Sequence, residues 1–301
     1  MSWVNLLGGA ALPLALLVAI RQRVRRRIER AVTERLGPVG AAGVVTGAGP
    51  IALDAGSRAA LLLHGFGDTP ESLAGLARAL HARGWTVRVP LLPGHGRTLA
   101  EFEASSSEAW EGCVEDAHAA LRASGCTVSL VGQSMGAALA VRLAAAHPET
   151  SAMVLLAPLL SLSSALVQGA RWWWLVWLVR PLLESADERS ILDPEARKHA
   201  RGPGVLPVRL VPQLVGLVRA ARADLPRVLA PVRVVQSRED NRVTPAGTEA
   251  ALRTIGSPTV DLIWRTGAGH VVSVDYGHEQ VWALVGDWLE AHRVAAEVRT
   301  A

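Results

Sequence analysis

At 301 residues and half apolar, the chain is long enough for one large α/β domain with an insertion, or for two modest domains. The net charge is +4, but residues 21–30, RQRVRRRIER, hold six arginines and one glutamate, so the remaining chain is close to neutral. That excludes a nucleic-acid surface on the main domain. The two cysteines, Cys113 and Cys126, have neither metal nor redox spacing and read as buried small apolar residues in a reducing compartment.

Trp3 to Ile20 carries no charge, and as a helix it would span about 27 Å, close to the hydrocarbon thickness of a bilayer. No basic residue precedes it and arginines follow it, which points to an uncleaved anchor with its C-terminal side in the cytoplasm. Residues 1–20 are therefore expected to be a hydrophobic membrane anchor. Residues 21–43 are expected to form a basic amphipathic helix and linker. Val24, Ile28, Val32 and Leu36 make its apolar stripe, which suits an anionic lipid surface or docking on the main domain.

From residue 44 to 301 strands and helices alternate. Apolar runs at Ala59–Leu63, Thr86–Val89, Thr127–Val131, Ala152–Leu156, Val232–Gln236 and Val260–Trp264 read as strands. Helices are expected over about Thr69–Arg83, Glu108–Arg122, after Ser134, over Val208–Arg222 and over Tyr276–Arg293. Such alternation implies a mostly parallel central sheet with helices on both faces. It breaks at 158–226, where no strand is evident. This segment reads as an inserted helical cap. Trp172, Trp173, Trp174 and Trp177 lie within six positions of it, and are candidates for the roof of an acyl tunnel or for a lipid-facing patch.

The turn Gly132-Gln133-Ser134-Met135-Gly136 follows a strand and precedes a helix. About 0.16 chance matches to G-x-S-x-G are expected from this composition, so the motif needs context. Glycines two residues either side suit a strained turn that lifts Ser134 above the sheet. A serine nucleophile needs a base and an orienting carboxylate. His270 follows the last strand through the loop Thr266-Gly267-Ala268-Gly269. Asp240 follows the strand Val232–Gln236, with Glu239 as the competing carboxylate. An oxyanion would be bound by the backbone N–H groups of Met135 and of Phe66, in the loop His64-Gly65-Phe66-Gly67. His95, in Pro93-Gly94-His95-Gly96, reads as a loop-fixing residue rather than a catalytic one.

Together His64-Gly65-Phe66-Gly67, Gly94-His95-Gly96, Gly132-Gln133-Ser134-Met135-Gly136, Val235-Gln236-Ser237-Arg238-Glu239-Asp240 and Ala268-Gly269-His270-Val271-Val272 resemble the bacterial monoacylglycerol lipase and carboxylesterase group of the α/β-hydrolase superfamily. The resemblance spans about residues 58–292 and continues in Val274-Asp275-Tyr276. It implies an α/β-hydrolase fold with a small helical cap, and hydrolysis of medium- to long-chain carboxylic esters without cofactor or metal. It also implies a Ser134, Asp240, His270 triad with Phe66 and Met135 as oxyanion donors. The N-terminal forty residues and the Trp-rich cap depart from the group. The alternatives are a lysophospholipase, thioesterase or aminopeptidase-like hydrolase on the same triad, or a non-catalytic membrane-anchored scaffold. Expected partners are a lipid or other ester substrate and a membrane surface reached through the N-terminus, with no nucleic acid; the sequence leaves the oligomeric state open. The expected location is membrane-associated with a cytoplasmic catalytic domain.

Overall fold

The computed structural model describes residues 3–40, 42–185 and 187–292, with side chains from Val18 onward. The anchor expected over 1–20 thus falls largely outside the described side chains, and Arg293 lies outside the described residues. Among the described residues, no helix is long and apolar enough to cross a membrane.

The first helix, α1 (Trp3–Leu36), runs unbroken through both N-terminal segments. The stripe on its second half docks on protein rather than standing free. Val32 and Leu36 are buried, and Ile28 packs against the core. Arg25 donates to both oxygens of the buried Glu103 and to Glu29. Glu103 would cost several kcal/mol unpaired at that site, which favours this docking. Gly37, at φ 73°, ends the helix.

Then follow β1 (Ile51–Leu53), β2 (Arg58–Leu63), α2 (Ala74–Ala82), β3 (Thr86–Val89), α3 (Leu99–Ala104), α4 (Ser107–Ala123), β4 (Thr127–Gln133), α5 (Met135–Ala146) and β5 (Met153–Leu156). Next come α6 (Ser164–Arg171), α7 (Trp173–Val179), β6 (Leu182–Glu184), α8 (Pro194–Lys198), β7 (Val205–Pro207) and α9 (Val211–Asp224). The chain closes with β8 (Val232–Ser237), α10 (Pro245–Leu252), β9 (Val260–Arg265) and α11 (His278–Ala291).

Seven strands form one sheet in the order β1-β3-β2-β4-β5-β8-β9. Only β1 is antiparallel, pairing Ile51 with Val89. The expected mostly parallel sheet is therefore present, with β1 as an added edge. β2, β4 and β5 are buried along nearly their whole length, so they read as mainly apolar runs, with Ser129 and Gln133 the buried polar residues of β4. One apolar cluster covers each face of the sheet. Trp110, Leu139 and Leu217 lie in one; Leu76, Trp85 and Trp288 lie in the other.

The inserted segment is not wholly helical. β6 and β7 form a two-stranded antiparallel ribbon, Leu182 opposite Pro207. Three-residue strands, one of them ending in a proline, give too little alternation to be read from sequence. Cys126 is buried as expected, whereas Cys113 is half-buried; both are free thiols.

Candidate active site

Parallel strands bring the loops after β2, β4, β8 and β9 to one carboxyl edge, where open α/β sheets collect their sites. Ser134 lies between β4 and α5 at φ 55° and ψ −116°. A non-glycine residue there is strained and persists only where its surroundings hold it. Here the Ser134 N–H donates to Leu156 O at 2.9 Å, while its carbonyl accepts from Ala137 and Leu159 N–H. The flanking glycines are sterically required. A Cβ on Gly136 would fall 2.1 Å from Leu63 O, and one on Gly132 would fall 2.4 Å from Gly136 O.

His270 and Asp240 meet this serine. Ser134 Oγ is 2.8 Å from His270 Nε2. His270 Nδ1 is 2.9 Å from each carboxylate oxygen of Asp240. The network assigns the tautomer: Nδ1–H donates to Asp240 and Nε2 accepts from the serine hydroxyl. The Asp240 side chain is 0% exposed. Its Oδ1 also accepts from Arg242 and Val243 N–H at 2.7 and 2.9 Å. Glu239 is turned to solvent and accepts from Ser237 Oγ instead. Of the two competing carboxylates, only Asp240 contacts the histidine.

The loop after β2 lies directly against the serine. A Cβ on Gly65 would be 3.2 Å from Ser134 Cβ. That loop is held by His64, which is fully buried. Its Nδ1–H donates to Gly65 O at 3.0 Å, and its Nε2 accepts from Leu92 N–H at 3.1 Å. One proton shared in this way requires a neutral ring. Burial, reinforced by nearby His95, pushes the His64 pKa down to about 3. His95 is likewise buried and lowered, to about 4, by desolvation. Its ring packs edge-on against Phe66 and Trp110, and Nδ1 contacts Pro93 O. His95 thus fixes its loop, as expected, and backs the Phe66 ring. Met135 opens α5, where a helix leaves its first N–H groups without intrahelical partners.

Three residues of the site were not found from sequence. Asp275, fully buried, accepts from the N–H groups of Gly269, Leu192, Asp193 and Tyr276 at 2.6 to 2.8 Å. It ties the loop carrying His270 to the inserted segment; its signal, Val274-Asp275-Tyr276, says nothing of partners some eighty residues away. Asp68 accepts from Thr69 N–H and Ser72 Oγ, with Gln133 Nε2 at 3.4 Å. Burial raises its carboxyl above the ordinary range. It borders a cavity of about 210 Å³ shared with Val271, Ile191, His199 and Trp282. His64 was read only as part of a glycine-rich motif.

The inserted segment covers these loops with its later part. Val271 N–H donates to Ser190 O at 2.9 Å, and a Cβ on Gly269 would strike Arg189 O. Gly202 lies equally close to Gly67 O. The tryptophans divide differently. Trp172 and Trp174 are 56% and 48% exposed, whereas Trp173 and Trp177 are half-buried and share a helix face.

Comparison with known proteins fits this architecture. The chain is 26% identical over 241 residues to a thermostable monoacylglycerol lipase from Bacillus sp. (strain H-257), covering 79% of this chain and 92% of that protein. It is 24% identical over 243 residues to a carboxylesterase from Bacillus subtilis (strain 168), covering 80% and 96%. A solved structure described with LipS and LipT, two metagenome-derived lipolytic enzymes, superposes with a TM-score of 0.77 at 29% identity, covering 83% of this chain and all of that one. The family model Hydrolase_4, described as serine aminopeptidase, S33, matches residues 56–276, so the chain belongs to this family of α/β-hydrolases.

Proposed function

We propose that the chain is a serine hydrolase that cleaves carboxylic esters of medium- to long-chain acyl groups, of the monoacylglycerol lipase or carboxylesterase type. The observation that carries this reading is the continuous hydrogen-bonded line Ser134 Oγ, His270, Asp240 at 2.8 and 2.9 Å. Ser134 Oγ attacks the ester carbonyl while His270 Nε2 takes its proton. Asp240 holds the imidazole in the tautomer that can do so and stabilises the imidazolium. The N–H groups of Phe66 and Met135 bind the oxyanion, each worth about 3 kcal/mol in the transition state. His270 then protonates the leaving alcohol, and water cleaves the acyl-enzyme by the same route. Each step needs only this chain and water.

The ester preference is supported by the lipase and carboxylesterase relatives, and we read the half-buried Trp173 as acyl-contacting. An aminopeptidase would need acidic groups for a free amine. The cavity beside Asp68 does hold two carboxylates, Asp68 and Glu71, but sets the guanidiniums of Arg78 and Arg201 beside them, which disfavours a free amine there. The exposed edge formed by Val18, Ile20 and Val24 of α1 with Trp172, Trp174 and Val179 fits a catalytic domain held at a cytoplasmic membrane face. Arg21 joins its two halves, stacking on Trp177 at 4.2 Å and donating to Leu178 O.

The test is a fluorophosphonate probe and a panel of p-nitrophenyl esters, monoacylglycerols, lysophospholipids and aminoacyl anilides. Labelling lost in Ser134→Ala, with turnover rising toward longer acyl chains, is expected. Undiminished labelling of Ser134→Ala, or turnover of anilides alone, would overturn the proposal.

A further inference from the structure

At the end of α5 remote from Ser134, three side chains converge that the hydrolytic chemistry does not use. Glu115 and His118 are three residues apart on α4 and share a face. His147 directly follows α5. One ligating atom of each lies within 4.8 Å of the other two. His147 Nε2 is 2.9 and 3.1 Å from the two oxygens of Glu115, and its Nδ1 is 3.3 Å from Glu149 Oε1. The His118 ring leans on that of His147 with centroids 4.2 Å apart. His118 is 1% exposed and, among the described residues, its Nε2 has no hydrogen-bond partner.

The hydrogen-bonding atoms at this cluster are arranged to suit a bound cation. With Nδ1–H donating to Glu149, the Nε2 lone pair of His147 faces a carboxylate, two acceptors at hydrogen-bond distance. A proton on Nε2 would resolve that pair alone. It would leave His118 Nε2 buried and unpaired, at about 1–3 kcal/mol.

We propose that Glu115, His118 and His147 form a binding site for a divalent transition-metal ion, zinc by its donor set, with Glu149 orienting His147 from behind. Two imidazoles and a carboxylate suit zinc and leave a fourth position for water. Magnesium and calcium demand oxygen donors. Around tetrahedral zinc the ligating atoms stand about 3.3 Å apart, so small rotamer changes close the cluster. A carboxylate on the second nitrogen of a ligating histidine is the usual support. The twelve residues of α5 put the ion about 18 Å from Ser134. It would clamp α4 to α5 and take no part in the hydrolytic chemistry.

Calorimetric titration of tag-free, chelator-stripped full-length protein with Zn²⁺ tests this, with Mg²⁺ as the control. One Zn²⁺ per chain, none of Mg²⁺, and a Tm that rises with Zn²⁺ are expected. Cobalt substitution should give the absorption of a tetrahedral ion. His147→Ala should weaken Zn²⁺ binding at least tenfold, and Glu149→Gln about tenfold. Both variants should keep the unliganded far-UV spectrum and the ester turnover of the wild type, if turnover is found. Because His118 is buried, His118→Ala serves only as a second check. No heat of Zn²⁺ binding, or a titration unchanged in His147→Ala, would overturn the site.

Discussion

Helix α5 has a histidine–carboxylate pair at each end, and the two differ in how they are sealed. At the Ser134 end the Asp240 side chain is 0% exposed, His270 meets both its oxygens, and two backbone N–H groups donate to Oδ1. At the His147 end Glu115 and Glu149 are 49% and 41% exposed. A buried, fully satisfied carboxylate cannot trade partners, so it fixes the ring's tautomer and direction. An exposed one is screened by salt and holds its histidine loosely. The first arrangement suits a base that must meet the same hydroxyl in every turnover. The second can still rearrange around a ligand.

The strongest way to break this contrast is at the sealed end. Asp240→Asn is expected to lower kcat by about 10⁴-fold, because an amide can leave His270 in the wrong tautomer. Glu239→Gln should leave kcat near wild type. Steady-state kinetics on a p-nitrophenyl ester decides between them, and the reverse result would move the orienting role to Glu239.

Next in size is the strain that presents the serine. Gly136→Ala puts a methyl against Leu63 O, a backbone atom that cannot move aside. We expect a loss of about 3 kcal/mol or more in chemical denaturation, or failure to fold. Gly112 on α4 meets nothing within 4 Å, so Gly112→Ala should be neutral or slightly stabilising.

A smaller effect is expected from His64. Its folded pKa lies below the ordinary 6.5, so the unfolded chain binds its proton first as pH falls. Its contribution is complete above about pH 6.5 and declines toward about pH 3. His64→Gln should flatten that part of the stability–pH curve. It should also cost about 1–3 kcal/mol at pH 7 through the Leu92 N–H and Gly65 carbonyl. Denaturation midpoints between pH 4 and 8 measure both.

The smallest effect belongs to the open end. In chelator, Glu115→Gln should change stability by less than about 1 kcal/mol, and salt should shrink even that. A larger, salt-independent loss would mean the cluster is sealed like the other.

The parallel sheet was legible because strands buried on both faces are mostly apolar, as Ala59–Leu63 of β2, Leu130 and Val131 of β4 and the whole of β5 are. Ser134 and His270 were legible because glycines and loop position mark them within a few residues. The choice of Asp240 over Glu239 was a matter of one residue in a turn, which sequence could rank but only the paths of two side chains could separate. The ribbon of β6 and β7 was missed because its strands are too short to show a period. The docking of α1 was left open because an amphipathic stripe fits lipid and protein equally; Glu103, some eighty residues away, supplies the partner that Arg25 meets.

Local chemistry, then, determined the sheet, the elbow at Ser134 and the candidates around it, since strand burial and turn strain depend on near neighbours. The tertiary structure decided what depends on distant ones. It put Asp275 beneath the His270 loop with its oxygens on Leu192 and Asp193, and closed the later part of the insertion over that loop while turning Trp172 and Trp174 to solvent. It also brought His147 to Glu115 across two helices. Hydrogen bonds and ligand geometry act over about 3 Å in space, whatever the separation along the chain.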